Sequence, residues 1–294
     1  MRKETLRLMV LLTICLLFGS NQYWVGATAG EATSQVTPVQ PVGNIAKAKS
    51  EIGDSMASLD LRQYFQGYDG CFVLYDLKKH QYLIYNEPKS KKPVPPCSTF
   101  KILNALICLE TGVIPDERAT TKWDGTRYSI ESWNKDQNLN SAIANSVVWY
   151  FQKAAVKVGP ERMQQYLDRV NYGNKDISAG IDRFWLQASL QISPQDQVAF
   201  LRKFYAGQLP FSKRNIELVK MALVLKNEPG IKLSGKTGSG MKDGQPVNGW
   251  FVGYVEQNDN VLWFATNLEG NGASGMVAQW AALKILNEHF KVGI

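Results

Sequence analysis

Three strand-like runs crowd the end of the chain: "IKLSGKTGS" (Ile231–Ser239), "GWFVGYVEQ" (Gly249–Gln257) and "NVLWFATNLE" (Asn260–Glu269). They are rich in β-branched and aromatic residues and are separated by turns. The comparable earlier stretch is the pair "CFVLYD" and "QYLIYN" (Cys71–Asn86), joined by the polar "LKKH" as a hairpin. Between these blocks the patterns are helical. "PCSTFKILNALICLE" and "LNSAIANSVVWYFQKAAVKV" (Leu139–Val158, read as one helix) come first. "GPERMQQYLDRV", "SPQDQVAFLRKFYAG" and "SKRNIELVKMALVL" follow, the middle one with Ser193 as cap, Pro194 at the first position and Gly207 as stop. "MVAQWAALKILNEHF" closes the chain as a helix. Late strands pair most simply with early ones. The order predicts an α+β fold: an antiparallel β-sheet flanked by helices, with an inserted all-helical subdomain at roughly 97–225 and a cleft at the boundary.

The N-terminus reads as a processing signal rather than as structure. "MRKETLRL" is basic, Met9–Gly19 is apolar but too short to span a bilayer well, and Ala27–Ala29 offers small residues for cleavage. The expectation is a signal peptide at 1–29, a Ser/Thr/Pro-rich tether at 30–44 and a catalytic domain at 45–294. That domain opens with a helix over 45–64 carrying Ile52, Met56, Leu59 and Leu61. No later run approaches 18 apolar residues, so the expected location is outside the cytoplasm, secreted or associated with the cell envelope.

A formal charge of +7 suggests anionic partners, but the basic residues are scattered and cluster only in "KSKK", Lys89–Lys92. That cluster reads as a solvated loop with a weak affinity for an anionic envelope surface. No basic stripe interleaved with aromatics points to nucleic acid, and no obligate protein partner is evident. Cys71, Cys97 and Cys108 remain after the signal. Flanking one helix, Cys97 and Cys108 would lie roughly 16 Å apart, beyond the ~7 Å a disulfide tolerates. Three buried thiols are expected. His80 and His289 lack metal-ligand spacing, so the expected metal content is none, and a serine enzyme here would need a base other than histidine.

Lysine is the alternative base. S-x-x-K occurs three times, at Ser98–Lys101, Ser132–Lys135 and Ser239–Lys242. About one such match is expected by chance in a chain this long. Ser132 lies in polar sequence without helical period, and Ser239 lies among glycines that will not hold a rigid turn. Ser98 alone precedes a strong helix, which would set its hydroxyl one turn from Lys101. The free N–H groups of that helix start can stabilise an oxyanion. The apolar run after Lys101 penalises its ammonium, leaving an amine that can act as base or take up CO2. Two further motifs follow in order: Ser146-Val147-Val148 on the expected helix, and Lys236-Thr237-Gly238 at a strand end.

The set S-x-x-K, S-x-V, K-T-G, with "YGN" (Tyr172–Asn174), "FWLQASLQISP" and "GWFVGYVE", resembles the class D (oxacillinase-type) serine β-lactamases. The resemblance implies Ser98 as acylated nucleophile, N-carboxylated Lys101 as general base and Ser146 as proton shuttle. It implies Lys236 and Thr237 on the substrate carboxylate, with Gly238 beside them, and backbone N–H groups of Ser98 and Ser239 as oxyanion hole. Trp185 would hold the carbamate and Val148 would keep its pocket apolar. No cofactor is implied beyond that CO2-derived carbamate. The partner is a β-lactam antibiotic, with hydrolysis as the outcome and an acylated but non-hydrolysing sensor domain as the alternative. Sensors normally hang from several membrane spans, which the single short N-terminal run does not match. A penicillin-binding peptidase usually has S-x-N in the middle motif, and a wall-binding module needs no nucleophile. Three departures stand out. Gln187 replaces a frequent glutamate, with little effect expected. Gln279 stands where many members carry a carboxylate-binding arginine. Cys97 precedes the nucleophile and reads as packing. Tyr172 and Asn174 are expected at the site wall, Trp123 and Trp133 as core or rim packing, and Trp250 and Trp263 in the core.

Overall fold

The computed structural model describes residues 55–294; the expected signal peptide and tether lie outside them. Strands β1 (Ser55–Ser58), β2 (Asp69–Asp76) and β3 (Gln81–Tyr85) open the described chain. Helices α1 (Glu87–Ser90), α2 (Lys101–Glu110), α3 (Leu139–Ala144), α4 (Val148–Val158), α5 (Pro160–Val170), α6 (Pro194–Tyr205) and α7 (Lys213–Ala222) follow. Then come β4 (Val224–Glu228), β5 (Ile231–Lys242), β6 (Gln245–Gln257), β7 (Asn260–Glu269) and α8 (Gly275–Phe290). The sheet order is β1-β3-β2-β7-β6-β5-β4. The late block joins the early hairpin through antiparallel β2–β7 pairing, Val73 opposite Ala265. That is the α+β arrangement expected, with α1 to α7 all inserted between β3 and β4.

Each central strand buries both faces, which is why these runs are apolar throughout rather than alternating. Val73, Tyr75, Trp250, Val252 and Tyr254 face the inserted helices. Phe72, Leu74, Phe251 and Val255 face the other way, with Ala278, Ala281 and Ile285 of α8. Helix α2 is enclosed on all sides: nine of its ten residues are buried, and Glu110 is the exception.

Four expectations need correction. The helix over 45–64 is not formed in its described part. Ser55–Ser58 instead pairs parallel with β3, and Arg62–Tyr64 makes a single 3-10 turn. An open sheet edge outcompetes a weak helical period. The stretch 139–158 is two helices, broken at Asn145–Val147. Helix α7 stops at Ala222, and the next residues turn into β4, which pairs with β5. The Pro229–Gly230 pair, with Gly230 at φ 81°, marks that hairpin in the sequence. Finally, the 89–92 cluster is a solvated one only at Lys91 and Lys92. Lys89 is buried against Glu269 (2.6 Å) and Asp69 (3.3 Å), and Lys92 also reaches Glu269 at 3.0 Å. The three described cysteines are free and buried. Burial pushes the Cys71 and Cys97 thiols up to about 12. Among the described residues no helix is long and apolar enough to cross a membrane.

Candidate active site

A 3-10 turn, Cys97–Phe100, runs directly into α2 and sets Ser98 and Lys101 one turn apart. Lys101 Nζ donates to Ser98 Oγ at 2.6 Å. Lys101 is fully buried, whereas Ser98 keeps 8% of its surface exposed. The amine is therefore shielded while the Ser98 hydroxyl is at the edge of solvent. Burial, and after it the nearby Lys236 ammonium, holds the Lys101 amine well below the ordinary lysine range. A neutral amine at this distance can accept the Ser98 proton along the same contact. Phe151 of α4 lies 5.7 Å from Nζ, ring centroid to nitrogen, and supplies part of the apolar wall.

Ser146 is not helical as expected. It sits in the break between α3 and α4 at φ 54°. Val147 N donates to Ala142 O (2.9 Å) and Ser146 N to Ile143 O (3.1 Å), the two bonds of a Schellman ending. That position ordinarily favours glycine, and a serine there carries backbone strain of roughly 1–3 kcal/mol. Trp133, expected as packing, supports the break: its indole donates to Asn145 O at 2.9 Å. Val148 opens α4, half-buried, three residues before Phe151 and on the same side of the helix.

The K-T-G triplet lies in the middle of β5, not at its end. Close packing brings it to the nucleophile. A Cβ on Gly238 would lie 3.2 Å from Ser98 N and 3.0 Å from Pro96 O, so β5 passes directly along the Ser98 turn. On its other side α8 begins at Gly275, where a Cβ would lie 2.9 Å from Gly238 O. The Ser239 hydroxyl accepts from Gly275 N at 2.8 Å, so it caps α8 beside the triplet. Lys236 is 5% exposed and donates to Thr237 O at 3.2 Å. Burial lowers its amine to about 8. It is thus a cation near neutrality, available to a carboxylate. Helix α8 carries no arginine, and Gln279 is half-buried on it.

Trp185 is fully buried, packed on Phe100 (5.6 Å) and Phe184 (5.0 Å). Its indole nitrogen has no hydrogen-bond partner. A buried N–H without an acceptor is costly, so this indole is free to donate to an oxygen brought beside it. Tyr172 is core, its ring 5.7 Å from Phe100, and Asn174 bonds Ser189 O to shape its own loop. Tyr172 thus packs beneath the Ser98 turn through Phe100, while the side-chain bonds of Asn174 stay within its own loop. Trp250 and Trp263 are buried as expected. Sequence reasoning named Gln187 with little effect expected and missed the polar knot it forms with Asn248 and Asn267 behind Ser98. Its one sequence signal was a lone buried asparagine in each of two largely apolar strands, Asn248 in β6 and Asn267 in β7.

Residues 70–287 match the family described as the penicillin binding protein transpeptidase domain. The chain belongs to that family. Regulatory protein BlaR1 of Bacillus licheniformis is 43% identical over 220 residues, covering 74% of this chain and 36% of BlaR1. Probable beta-lactamase YbxI of Bacillus subtilis is 40% identical over 218 residues, 74% of this chain and 81% of YbxI. Of solved structures, class D beta-lactamase BAT-2 superposes with a TM-score of 0.76 at 40% identity, covering 80% of this chain and 97% of that one. The C-terminal domain of the Bacillus licheniformis BlaR penicillin-receptor gives 0.77 at 40% identity over the same shares. The chain spans well under half the length of the regulatory relatives it matches. The resemblance to class D β-lactamases and the expected fold class both hold; enzymes and penicillin receptors are matched about equally well.

Proposed function

We propose that this transpeptidase-family chain is a class D serine β-lactamase acting outside the cytoplasm. The observation that carries the reading is the buried 2.6 Å contact between Lys101 Nζ and Ser98 Oγ, with the amine favoured in its neutral form. Lys236 and Thr237 hold the carboxylate of a penicillin. Ser98 Oγ attacks the lactam carbonyl carbon as its proton passes to the Lys101 side, and the C–N bond breaks. Ser146 relays a proton to the departing nitrogen. Water then attacks the acyl carbon, Ser98 leaves, and its hydroxyl is restored. Backbone N–H groups of Ser98 and Ser239 face the oxyanion.

The residues also suit a carbamate on Lys101. The amine is buried and favoured neutral, Phe151 lies beside it with Val148 three residues earlier on the same helix, and the Trp185 N–H lacks an acceptor. A carbamate supplies a carboxylate base for both half-reactions.

The alternative, a penicillin receptor that is acylated and stays so, is favoured by the likeness to BlaR1. Turnover decides between them. Purified protein is expected to hydrolyse a chromogenic penicillin through many cycles per molecule. A single stoichiometric burst followed by silence sinks the enzyme reading and leaves the receptor.

Lys236 predicts a pH limb. Its ammonium is present below about 8 and lost above it. KM for a carboxylate-bearing penicillin should rise as pH passes through about 8, while kcat moves less. A KM flat to pH 9.5 removes Lys236 from carboxylate binding.

A further inference from the structure

Behind Ser98 the turn is held by side chains outside the S-x-x-K, S-x-V and K-T-G triads. Asn248 on β6 is 1% exposed. Its Nδ2 donates to Pro95 O at 3.0 Å and to Gln187 Oε1 at 3.1 Å, and its Oδ1 accepts from Asn267 Nδ2 at 2.9 Å. All three of these bonds require the amide in one orientation, because a flip would set oxygen against two acceptors. Trp250 Nε1 donates to the same Pro95 carbonyl at 2.8 Å. The Cys97 thiol lies 3.6 Å from Gln187 Oε1 and 3.7 Å from Asn248 Nδ2.

The residues meeting at this amide have backbones that need external support. Cys97 is at φ 51° and Gln187 at φ 47°, both left-handed and neither glycine. Cys97 immediately precedes the nucleophile, and Gln187 is two residues from Trp185. Gln187 reaches Asn248 only because it crosses β5 at a glycine: a Cβ on Gly240 would lie 1.9 Å from Gln187 Oε1. Asn267 in turn anchors the knot to β7, also donating to Gly249 O at 3.1 Å. One buried amide thus ties together the Ser98 turn, the Trp185 loop and the centre of the sheet.

We propose that Asn248, through Pro95 and Gln187, is a positioning residue that fixes the Ser98 turn and the Trp185 loop in one reactive geometry. It touches no substrate. Its removal loosens the distance between nucleophile and base while leaving Lys236 and Thr237 in place. A displacement of about 1 Å costs up to a hundredfold in rate.

The inference rests on acylation of Ser98 by penicillins, and the two can fail separately. A fluorescent penicillin incubated with the native protein must first leave a covalent adduct on the peptide containing Ser98. If no adduct forms, the functional reading fails. With an adduct, Asn248→Leu and Gln187→Met are compared by stopped flow. Both replace the amide with an apolar group of similar volume. The expected result is an acylation rate constant lower by about ten- to a hundredfold, with the dissociation constant of the non-covalent complex within about twofold of native. Combined in one chain, the two substitutions should cost little more than either alone, since they cut the same tie. Native acylation rates in both folded variants overturn the proposal. So does an equal loss in binding and rate, which is the mark of general loosening. Should Asn248→Leu not fold, the half-buried Gln187→Met carries the same test alone.

Discussion

Lys101→Ala is expected to give a folded protein that has lost turnover. Lys101 starts α2, and alanine is the best helix former. Removing a fully buried amine relieves its desolvation, which offsets the cavity left behind, so Tm should move by only a few degrees. The chemistry has no such compensation. Without a base 2.6 Å from its oxygen, Ser98 must lose its proton to water, and the acyl group must wait for unassisted hydrolysis. General-base contributions of this kind are about 10²- to 10⁴-fold. Mass spectrometry of the variant after brief exposure to a penicillin should show slow acylation and a long-lived adduct, alongside near-zero steady-state hydrolysis. Normal turnover in folded Lys101→Ala removes Lys101 as the base.

Trp185→Phe addresses the missing acceptor. The substitution keeps the aromatic packing on Phe100 and Phe184 and deletes only the unpaired N–H and part of the ring. If the native N–H meets a carbamate oxygen, its loss costs about 1.5–3 kcal/mol, the range for bonds to charged groups. That predicts a bicarbonate concentration for half-maximal activity about 10- to 100-fold higher than native. Carbon-13 NMR after incubation with labelled bicarbonate should show a carbamate signal on the native protein that weakens in the variant. Native activity indifferent to bicarbonate, with no label retained, argues the carbamate away. An unchanged bicarbonate curve in the variant frees Trp185 from the role.

The Ser98–Lys101 pair was readable because its signals are local. Ser98 and Lys101 are separated by one helical turn, and the apolar run behind them both builds α2 and buries the amine. The pairing of the late strands with the early hairpin was readable because those apolar runs have no other partners. Ser146 was expected on a helix and lies in a left-handed turn instead. Its motif gives spacing, whereas the left-handed turn arises from how α3 must end before α4 can pack. The edge strands β1 and β4 were missed for a related reason. Short edge segments are recruited by hydrogen bonds offered from the neighbouring strand, and their own residue pattern is weak. Lys89 looked like a solvated charge and is buried, because its partners Asp69 and Glu269 come from β2 and β7.

From the sequence came the fold class and the pairing of Ser98 with a buried Lys101, since these rest on period, spacing and local burial. Tertiary structure alone decided the passage of β5 along the Ser98 turn, the unpaired indole of Trp185 and the knot of Asn248, Gln187 and Asn267. The physical reason is range. A helical turn couples residues three or four apart, whereas a buried amide is satisfied by whatever the folded sheet brings within 3 Å, from anywhere in the chain.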